Sequence, residues 1–355
     1  MNKKIAVVLF NLGGPDSKES IKPFLLNFFM DKNIITLPIF LRFFIARMIA
    51  RKRSKREAGD SYGLLGDKSP LLENTTEQAK ALEEKLNFEI SEKTYRVFTC
   101  MRYWHPMSAQ IAKEVKDWEA DKIVLLPLYP QFSTTTTWSS LQQWNKQSTK
   151  LGLDVQTSMI CCYPENQGYV EGSVKNILEQ YKRAKKDGYD KIRILFSAHG
   201  LPEKVIKGGD PYQYQCENSA ISIVKCLEKD IDEEIDWQIC YQSRVGRLKW
   251  IEPSIEQALD MAAEQGVCVI IYPHAFTQEH VETLVELDIE YKKYAEEIGI
   301  EGYYRAQTLG VQSDFIAAIG AMVKQHESQN DIISDENFSC PKEFGRCCKL
   351  MMDKA

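Results

Sequence analysis

Three glutamates, Glu282, Glu286 and Glu290, recur every four residues in the segment EHVETLVELDIEYKKYAEE. Read as an α-helix, that spacing stacks their side chains along one ridge. Val281, Val285 and Ile289 form the row on one side, and Thr283, Leu287 and Tyr291 the row on the other. The carboxylates therefore run along the middle of a mostly apolar face, with Asp288 and Lys292 marking the outer one. Like charges at this spacing repel by about 0.2–0.5 kcal/mol per pair even in water. Buried, they cost more unless they hold protons or a cation. A solvated acidic face is the usual meaning of such a pattern, but the apolar flanks argue for proton relay or metal handling. His280 stands two residues before Glu282, and His199 lies in LFSAHGLP, directly after an apolar run. With His274 these are three of the chain's five histidines. A loop histidine is more often a structural hydrogen-bonder. At a strand end it is well placed to take a proton near neutral pH or to ligate a metal.

The elements that must position these groups are βα units. Short β-branched runs ending at Gly or Pro alternate with longer amphipathic stretches, the mark of a parallel sheet. The runs are Lys4–Phe10, Tyr95–Met101, Lys122–Leu128, Val155–Cys161, Lys191–Phe196, Trp237–Tyr241 and Val267–Tyr272. They also pair: KKIAVVLFNLGGP resembles DKIRILFSAHGLP, YRVFTCMRY resembles DWQICYQSR, and DKIVLLPLYPQFS resembles GVCVIIYPHAFT, in the same order in both halves. Buried strands look alike, but three pairs in matching order argue for an internal duplication. The expected organisation is an α/β fold of two related parallel-sheet domains, at 1–150 and 151–326, followed by a polar linker and tail at 327–355. Parallel sheets bind ligands beyond the carboxyl ends of their strands. The loops there carry His199, His274, His280 and several aromatic residues, among them Tyr62, Tyr103, Tyr241 and Trp250. Aromatic side chains in loops are mostly ordinary packing, yet a flat apolar ligand needs such walls. Gly13-Gly14-Pro15 follows the first strand but is not a G-x-G-x-x-G fingerprint, so a nucleotide role has little support.

Composition removes other classes. The 355 residues carry 45 basic and 50 acidic side chains, a formal net charge of -5, which gives no reason to expect nucleic-acid binding. No apolar run approaches the roughly 18–20 residues that span a bilayer. The N-terminal MNKKIAVVLFNLGGP has a short apolar run and no small-residue cleavage site, so it reads as a first strand of a cytosolic chain rather than a signal peptide. Ten cysteines in a cytosolic protein of this size do not imply a disulfide framework. Residues 34–50, IITLPIFLRFFIARMIA, are broken by Pro38, Arg42 and Arg47 and lead into RKRSKR. An apolar lip beside a basic cluster suits peripheral contact with an anionic membrane, while a core helix with a solvated end reads equally well from the residues alone.

At LFSAHGLP, together with AFTQEHVETLVELDIEY, the sequence closely resembles the ferrochelatases, which insert ferrous iron into protoporphyrin IX at the last step of haem synthesis. The resemblance runs from VLFNLGGPDS through MRYWHP, LLPLYPQFS and YQSRVGRLKWIEP to about residue 325. It implies the chelatase fold, two Rossmann-like domains with a porphyrin cleft between them. It also implies His199 as pyrrole-proton acceptor or metal-site ligand, Glu282 as its paired carboxylate, and Glu286 and Glu290, with His280 beside them, as an acidic path leading away. Tyr62, Arg102, Tyr103, Ser243 and Trp250 match pocket positions. Gly200 and Tyr241 depart from residues common in the family, Ser and Trp respectively. The resemblance tips residues 34–50 towards a membrane lip at the inner face of the membrane, since the porphyrin is lipid-soluble.

Some members of that family hold a [2Fe-2S] cluster with a cysteine-bearing tail. Here Cys340, Cys347 and Cys348 with Cys161 or Cys162 would supply four ligands. Against this, the spacing differs from the animal pattern, Thr134 stands at the animal internal ligand, and vicinal cysteines chelate one centre poorly. Two other functions stay open at this point: a chelatase for sirohydrochlorin or coproporphyrin, which would want more basic residues in the cleft, and a haem or porphyrin carrier, which has no use for a buried glutamate ridge. The sequence leaves a homo-oligomer open.

Overall fold

The structure, a computed structural model, describes residues 2–88, 92–244, 246, 248–329, 332–333 and 338–352. Its strands are β1 (Lys3–Asn11), β2 (Lys93–Met101), β3 (Lys122–Pro127), β4 (Thr157–Ile160), β5 (Ile192–His199), β6 (Asp236–Gln242), β7 (Cys268–Pro273), β8 (Tyr303–Arg305) and β9 (Ile332–Ile333). They form two parallel sheets, ordered β2-β1-β3-β4-β9 and β6-β5-β7-β8. Central strands such as β1 and β3 are apolar and buried on both faces, as strands covered by helices on each side must be. Helix starts are set locally: Asn166 accepts from the Gly168 and Tyr169 N–H groups, and Ser254 with Gln257 forms a reciprocal cap for the helix Ile255–Glu264.

The repeat read from the sequence is present in the sheets. β1, β2 and β3 take the places in one sheet that β5, β6 and β7 take in the other. It extends into the loops. After β2 the chain returns so that the Met101 N–H donates to the Pro106 carbonyl. After β6 it does the same from Tyr241 to Pro253, and both prolines follow cis peptide bonds. β1 meets β3 at Phe10–Pro127, and β5 meets β7 at Ser197–Pro273.

The described chain divides into two units. One comprises 1–162 and 319–334, the other 163–318 and 335–355. The division in sequence falls at 162–163 rather than near 150 because β4 pairs with β3 and completes the first sheet. The first unit also takes back a late segment: β9 pairs with β4, Tyr95 donates its hydroxyl to Glu327 at 2.6 Å, Lys93 ion-pairs with Glu327, and Ser158 donates to the His326 carbonyl. The expected tail at 327–355 is thus split between the units, with 330–331, 334–337 and 353–355 outside the described residues. Residues 338–352 belong to the second unit, where Phe344 stacks on Tyr214 with ring centroids 5.0 Å apart and the Arg346 N–H donates to the Gly209 carbonyl.

Residues 39–60 form one helix, Ile39–Asp60, which exposes Ile39 (67%), Phe40 (61%), Phe44 (68%) and Met48 (64%). Arg47, Arg51, Lys52 and Lys55 line a shallow surface groove together with Phe44 and Met48. Among the described residues no helix is long and apolar enough to cross a membrane.

The first unit is knit around Asp31, whose side chain is 1% exposed. It accepts from Arg102 Nη2 at 3.0 Å, Tyr103 Oη at 2.7 Å, Ser139 Oγ and the Asn33 backbone. Removing one partner of a buried pair leaves the other charge unmatched, at a cost of about 3–5 kcal/mol. Asp31→Ala should lose that much stability in urea unfolding. A loss below about 1 kcal/mol would mean that Arg102 finds water instead.

Candidate active site

Sequence reading put His199 in the loop after its strand; it is the last residue of β5, in register with Gln242 of β6. Strand geometry therefore fixes its backbone on both sides. Its carbonyl accepts from the Tyr212 hydroxyl at 3.1 Å, and Nδ1 lies 2.7 Å from the Gly200 carbonyl. A carbonyl only accepts, so Nδ1 carries a proton and Nε2 is the working nitrogen. Nε2 faces Glu282 Oε1 at 3.4 Å. Gly200 donates its N–H to the Gln242 carbonyl. A Cβ at position 200 would stand 2.9 Å from that oxygen and 3.4 Å from the Trp250 indole, so a side chain there would shift the loop from its close approach to β6.

The glutamate segment is not the regular helix expected. A short α-turn, Val281–Leu284, gives way to a π-helical turn, Glu286–Glu290, and α-geometry resumes at Tyr291–Glu297. The Val285 carbonyl accepts from Glu290 N–H at 2.9 Å, and the Glu286 carbonyl from Tyr291 N–H, both five residues on. A wider turn breaks the four-residue stacking. Glu282 and Glu286 are partly buried, but Glu290 and Ile289 are exposed, so the buried ridge holds two carboxylates and not three. Asp288, expected on the outer face, instead pairs with Arg305.

Around Glu282 the groups converge. Oε1 faces His199, and Oε2 lies 3.0 Å from His280 Nε2, so one carboxylate stands between two imidazoles. Glu286 Oε2 accepts from Ser243 Oγ at 2.6 Å and from Gln242 Nε2 at 3.1 Å. Gln242 is fully buried, donates also to the Glu282 carbonyl at 2.8 Å, and has its own oxygen held by Ser197 Oγ at 2.7 Å. Ser243 takes a left-handed backbone conformation (φ 62°), a strained choice for a residue with a side chain, which puts its hydroxyl on Glu286. Gln242 was not singled out from the sequence; its place beside His199 on the neighbouring strand is the signal that was available.

These contacts split the proton affinities. Burial alone would push the His199 imidazole down, but the adjacent Glu282 carboxylate outweighs it and raises the pKa to about 9. Burial opposes ionisation of Glu282, yet His199 and His280 together hold it well below the usual carboxylate range. Burial and then the Glu282 charge push Glu286 up to about 7, against the hydrogen bonds from Ser243 and Gln242. Near neutral pH the site therefore holds an imidazolium–carboxylate pair and, beside it, a carboxyl poised to gain or lose a proton. His274 is different. It is fully buried, its Nε2 donates to the Cys216 carbonyl, and burial lowers it to about 4, so it stays neutral and structural.

The other expected residues fall as follows. Ser243 and Trp250 lie in the second unit beside His199, while Tyr62, Arg102 and Tyr103 lie in the first. Tyr62 and Tyr103 are buried, Tyr103 completely, with its hydroxyl on Asp31; Arg102 keeps a 14% exposed side chain. Cys161 and Cys162 end the first unit's main segment with sulfurs 3.6 Å apart, and Cys340, Cys347 and Cys348 belong to the second unit. Among the described residues no disulfide forms and no group of three or more His, Cys, Asp or Glu is arranged to hold a metal ion. The [2Fe-2S] cluster that the sequence left open thus gains no support.

A family model described as Ferrochelatase matches residues 4–327. A ferrochelatase of Wolbachia sp. subsp. Drosophila simulans (strain wRi) is 48% identical over 317 residues, covering 89% of this chain and 97% of its own. One of Caulobacter vibrioides is 44% identical over 349 residues, covering 98% of each. Among solved structures, SirB from Bacillus subtilis with Fe3+ aligns over 92% of this chain and 96% of its own with a TM-score of 0.51 at 13% identity, a likeness of fold.

The proton affinities predict a pH signature of stability. His199 binds its proton more tightly folded, at about 9, than at its ordinary 6.5, so its contribution is full below pH 6.5 and is lost as pH rises through 9. Glu286, raised from 4.5 to about 7, acts in the same sense: its contribution is full below pH 4.5 and is lost through 7. Glu282, lowered, acts oppositely, its contribution fading as pH falls below its ordinary range. Thermal unfolding followed by circular dichroism should show Tm declining between pH 6.5 and 9, with a shallower decline in His199→Ala. Glu286→Gln should flatten the curve between pH 4.5 and 7. Unchanged slopes in both variants would contradict the assignment.

Proposed function

We infer that this chain, which belongs to the ferrochelatase family, inserts ferrous iron into protoporphyrin IX, giving protohaem and releasing two protons as the last step of haem synthesis. It is an enzyme, a porphyrin metal chelatase. The observation that best supports the site residues is the Glu282 carboxylate held between His199 and His280, with Glu286 raised towards neutrality behind it.

The reaction exchanges two pyrrole protons for one dication. Planar porphyrin hides its nitrogen lone pairs in the ring plane, and binding that bends the ring exposes them. In the resting site His199 holds a proton because Glu282 faces it. A ferrous ion arriving at Glu282 competes with the imidazolium for that carboxylate. The reason for the raised affinity of His199 is then cancelled, its proton passes by way of the Glu286 carboxylate to water, and Nε2 becomes a free base. His199 then accepts a pyrrole proton. Glu286, with an affinity near neutral pH, is the next acceptor, and the exposed Glu290 passes protons to water. His280 stays on Glu282 Oε2 as its second partner. Trp250, packed over Gly200 beside His199, is the wall we assign to the ring. Ser243 acts through Glu286. In the first unit Tyr62, Arg102 and Tyr103 remain the porphyrin-binding candidates under this reading, with Arg102 and Tyr103 both held by Asp31.

A sirohydrochlorin chelatase shares this fold, as the SirB likeness illustrates, but the sequence relatives are ferrochelatases by name, which favours a haem-forming chelatase. A porphyrin carrier would need the walls and not a perturbed carboxyl pair. Peripheral contact with an anionic membrane also belongs to this reading. The exposed Ile39, Phe40, Phe44 and Met48 beside Arg47, Arg51, Lys52 and Lys55 support it.

Two measurements test this. His199→Ala should lower kcat for ferrous iron and protoporphyrin by about 10²–10⁴-fold while porphyrin fluorescence quenching still reports binding; near-normal turnover would remove the histidine from the mechanism. In vesicle flotation the protein should rise with phosphatidylserine or phosphatidylglycerol vesicles and not with pure phosphatidylcholine. Phe44→Ser/Met48→Ser should abolish that flotation, and indifference to anionic lipid would count against the membrane contact.

A further inference from the structure

The segment that carries Glu282 and Glu286 is gripped on both flanks by one side chain to which the mechanism above assigns nothing. Arg305 closes β8, in register with Ile271 of β7, so its backbone is fixed by the second sheet. Its guanidinium makes a two-pronged pair with Asp288, Nε to Oδ1 and Nη2 to Oδ2, each at 2.7 Å. Nη1 donates to Glu279 Oε1 at 2.6 Å, where the Thr308 N–H also donates at 2.9 Å. Glu279 lies three residues before Glu282, and Asp288 two residues after Glu286, inside the π turn. Two residues back, on the same face of β8, the Tyr303 hydroxyl donates to the Leu287 carbonyl at 2.6 Å, a second hold on that turn.

A π turn is rare and less well bonded than an α-turn. Leu, Glu and Ile have no preference for it, and Leu and Glu are good α-formers, so local propensity does not select it here. The contacts from β8 do. The guanidinium is 12% exposed and shared between two carboxylates, which largely balance its charge where it stands. What it supplies is a planar fork whose geometry a lysine cannot copy.

We infer that Arg305 is a positioning residue for metal insertion: through Asp288 and Glu279 it holds the π turn in the register that keeps Glu286 on Ser243 and Gln242 and keeps Glu282 between the two imidazoles. The inference rests on the reading of His199 and Glu282 as the insertion pair.

The test compares Arg305→Met, Arg305→Lys, Asp288→Asn and the double variant Arg305→Met/Asp288→Asn with wild type. Each is assayed for ferrous-iron insertion into protoporphyrin at a temperature where thermal unfolding shows it folded. Arg305→Met should lower kcat about tenfold or more, as small displacements of reacting groups do, with KM for each substrate within about twofold. Arg305→Lys should fall with it, because it keeps the charge and loses the fork. Asp288→Asn, which keeps the Arg305–Glu279 pair, should fall by a comparable factor, and the double variant no further than the worse single one. Variants that lose thermal stability yet turn over at the wild-type kcat would overturn the inference, leaving Arg305 a structural ion pair. So would a loss confined to KM, or a lysine variant equal to wild type. Should Arg305→Met not fold, Asp288→Asn decides by the same split. A wild-type protein that inserts no iron would overturn the reading of the activity, and this inference with it; an active wild type with unaffected variants overturns this inference alone.

Discussion

One carboxylate shared by two imidazoles organises the second unit. Glu282 faces His199 and His280 together from a short α-turn that the chain enters through an extended His280 and leaves after four residues. Burial, and then the charge fixed on Glu282, force a second carboxyl nearby towards the protonated form, and Glu286 is the group that bears this. The hydrogen bonds from Ser243 and Gln242 limit that shift, and Gln242 also ties the Glu286 carboxyl to the Glu282 backbone carbonyl. The cost is visible in the backbone, as a left-handed serine and an interrupted helix. Local irregularity of this kind concentrates where a site demands a geometry that regular elements do not offer.

Much of this was readable in the chain. The long strands were found because buried parallel strands are uniformly apolar, and the duplication because three motifs recur in order. β8 and β9 were not found. Three residues (YYR) and two residues (II) are too short to show a period, and each forms only by adding to an existing edge. The four-residue spacing of the glutamates read correctly as two buried carboxylates and incorrectly as three. Composition carries no mark of a π turn, which is imposed from outside by Tyr303 and Arg305. Asp31 was equally silent, because a single aspartate before a turn has no pattern, and of its side-chain partners only Asn33 is near in sequence, while Arg102, Tyr103 and Ser139 come from distant parts of the first unit.

The repeat also separates scaffold from chemistry. Residues at the carboxyl ends of β2 and β6 occupy matching places, Arg102 and Tyr103 in one unit, Gln242 and Ser243 in the other. Each pair holds a carboxyl group. In the first unit Arg102 and Tyr103 bind Asp31, a cation and a phenol that lock an acidic side chain into a core. In the second, Gln242 and Ser243 bind Glu286 with neutral donors, which leave it free to exchange a proton. The same loop geometry thus yields a strut in one half and a relay in the other, by changing only the charge of the donors.

The discontinuity of the first unit bears on the order in which the protein can form as it is synthesised. When the ribosome has made the first 162 residues, β4 still lacks β9, and Lys93 and Tyr95 still lack Glu327. More than 150 further residues, with the whole second sheet among them, must emerge before those partners arrive. An open strand edge on a nascent chain is a template for mispairing. The protein therefore spends much of its translation with one sheet unfinished, and the last helix and strand to emerge in that unit serve as its clasp.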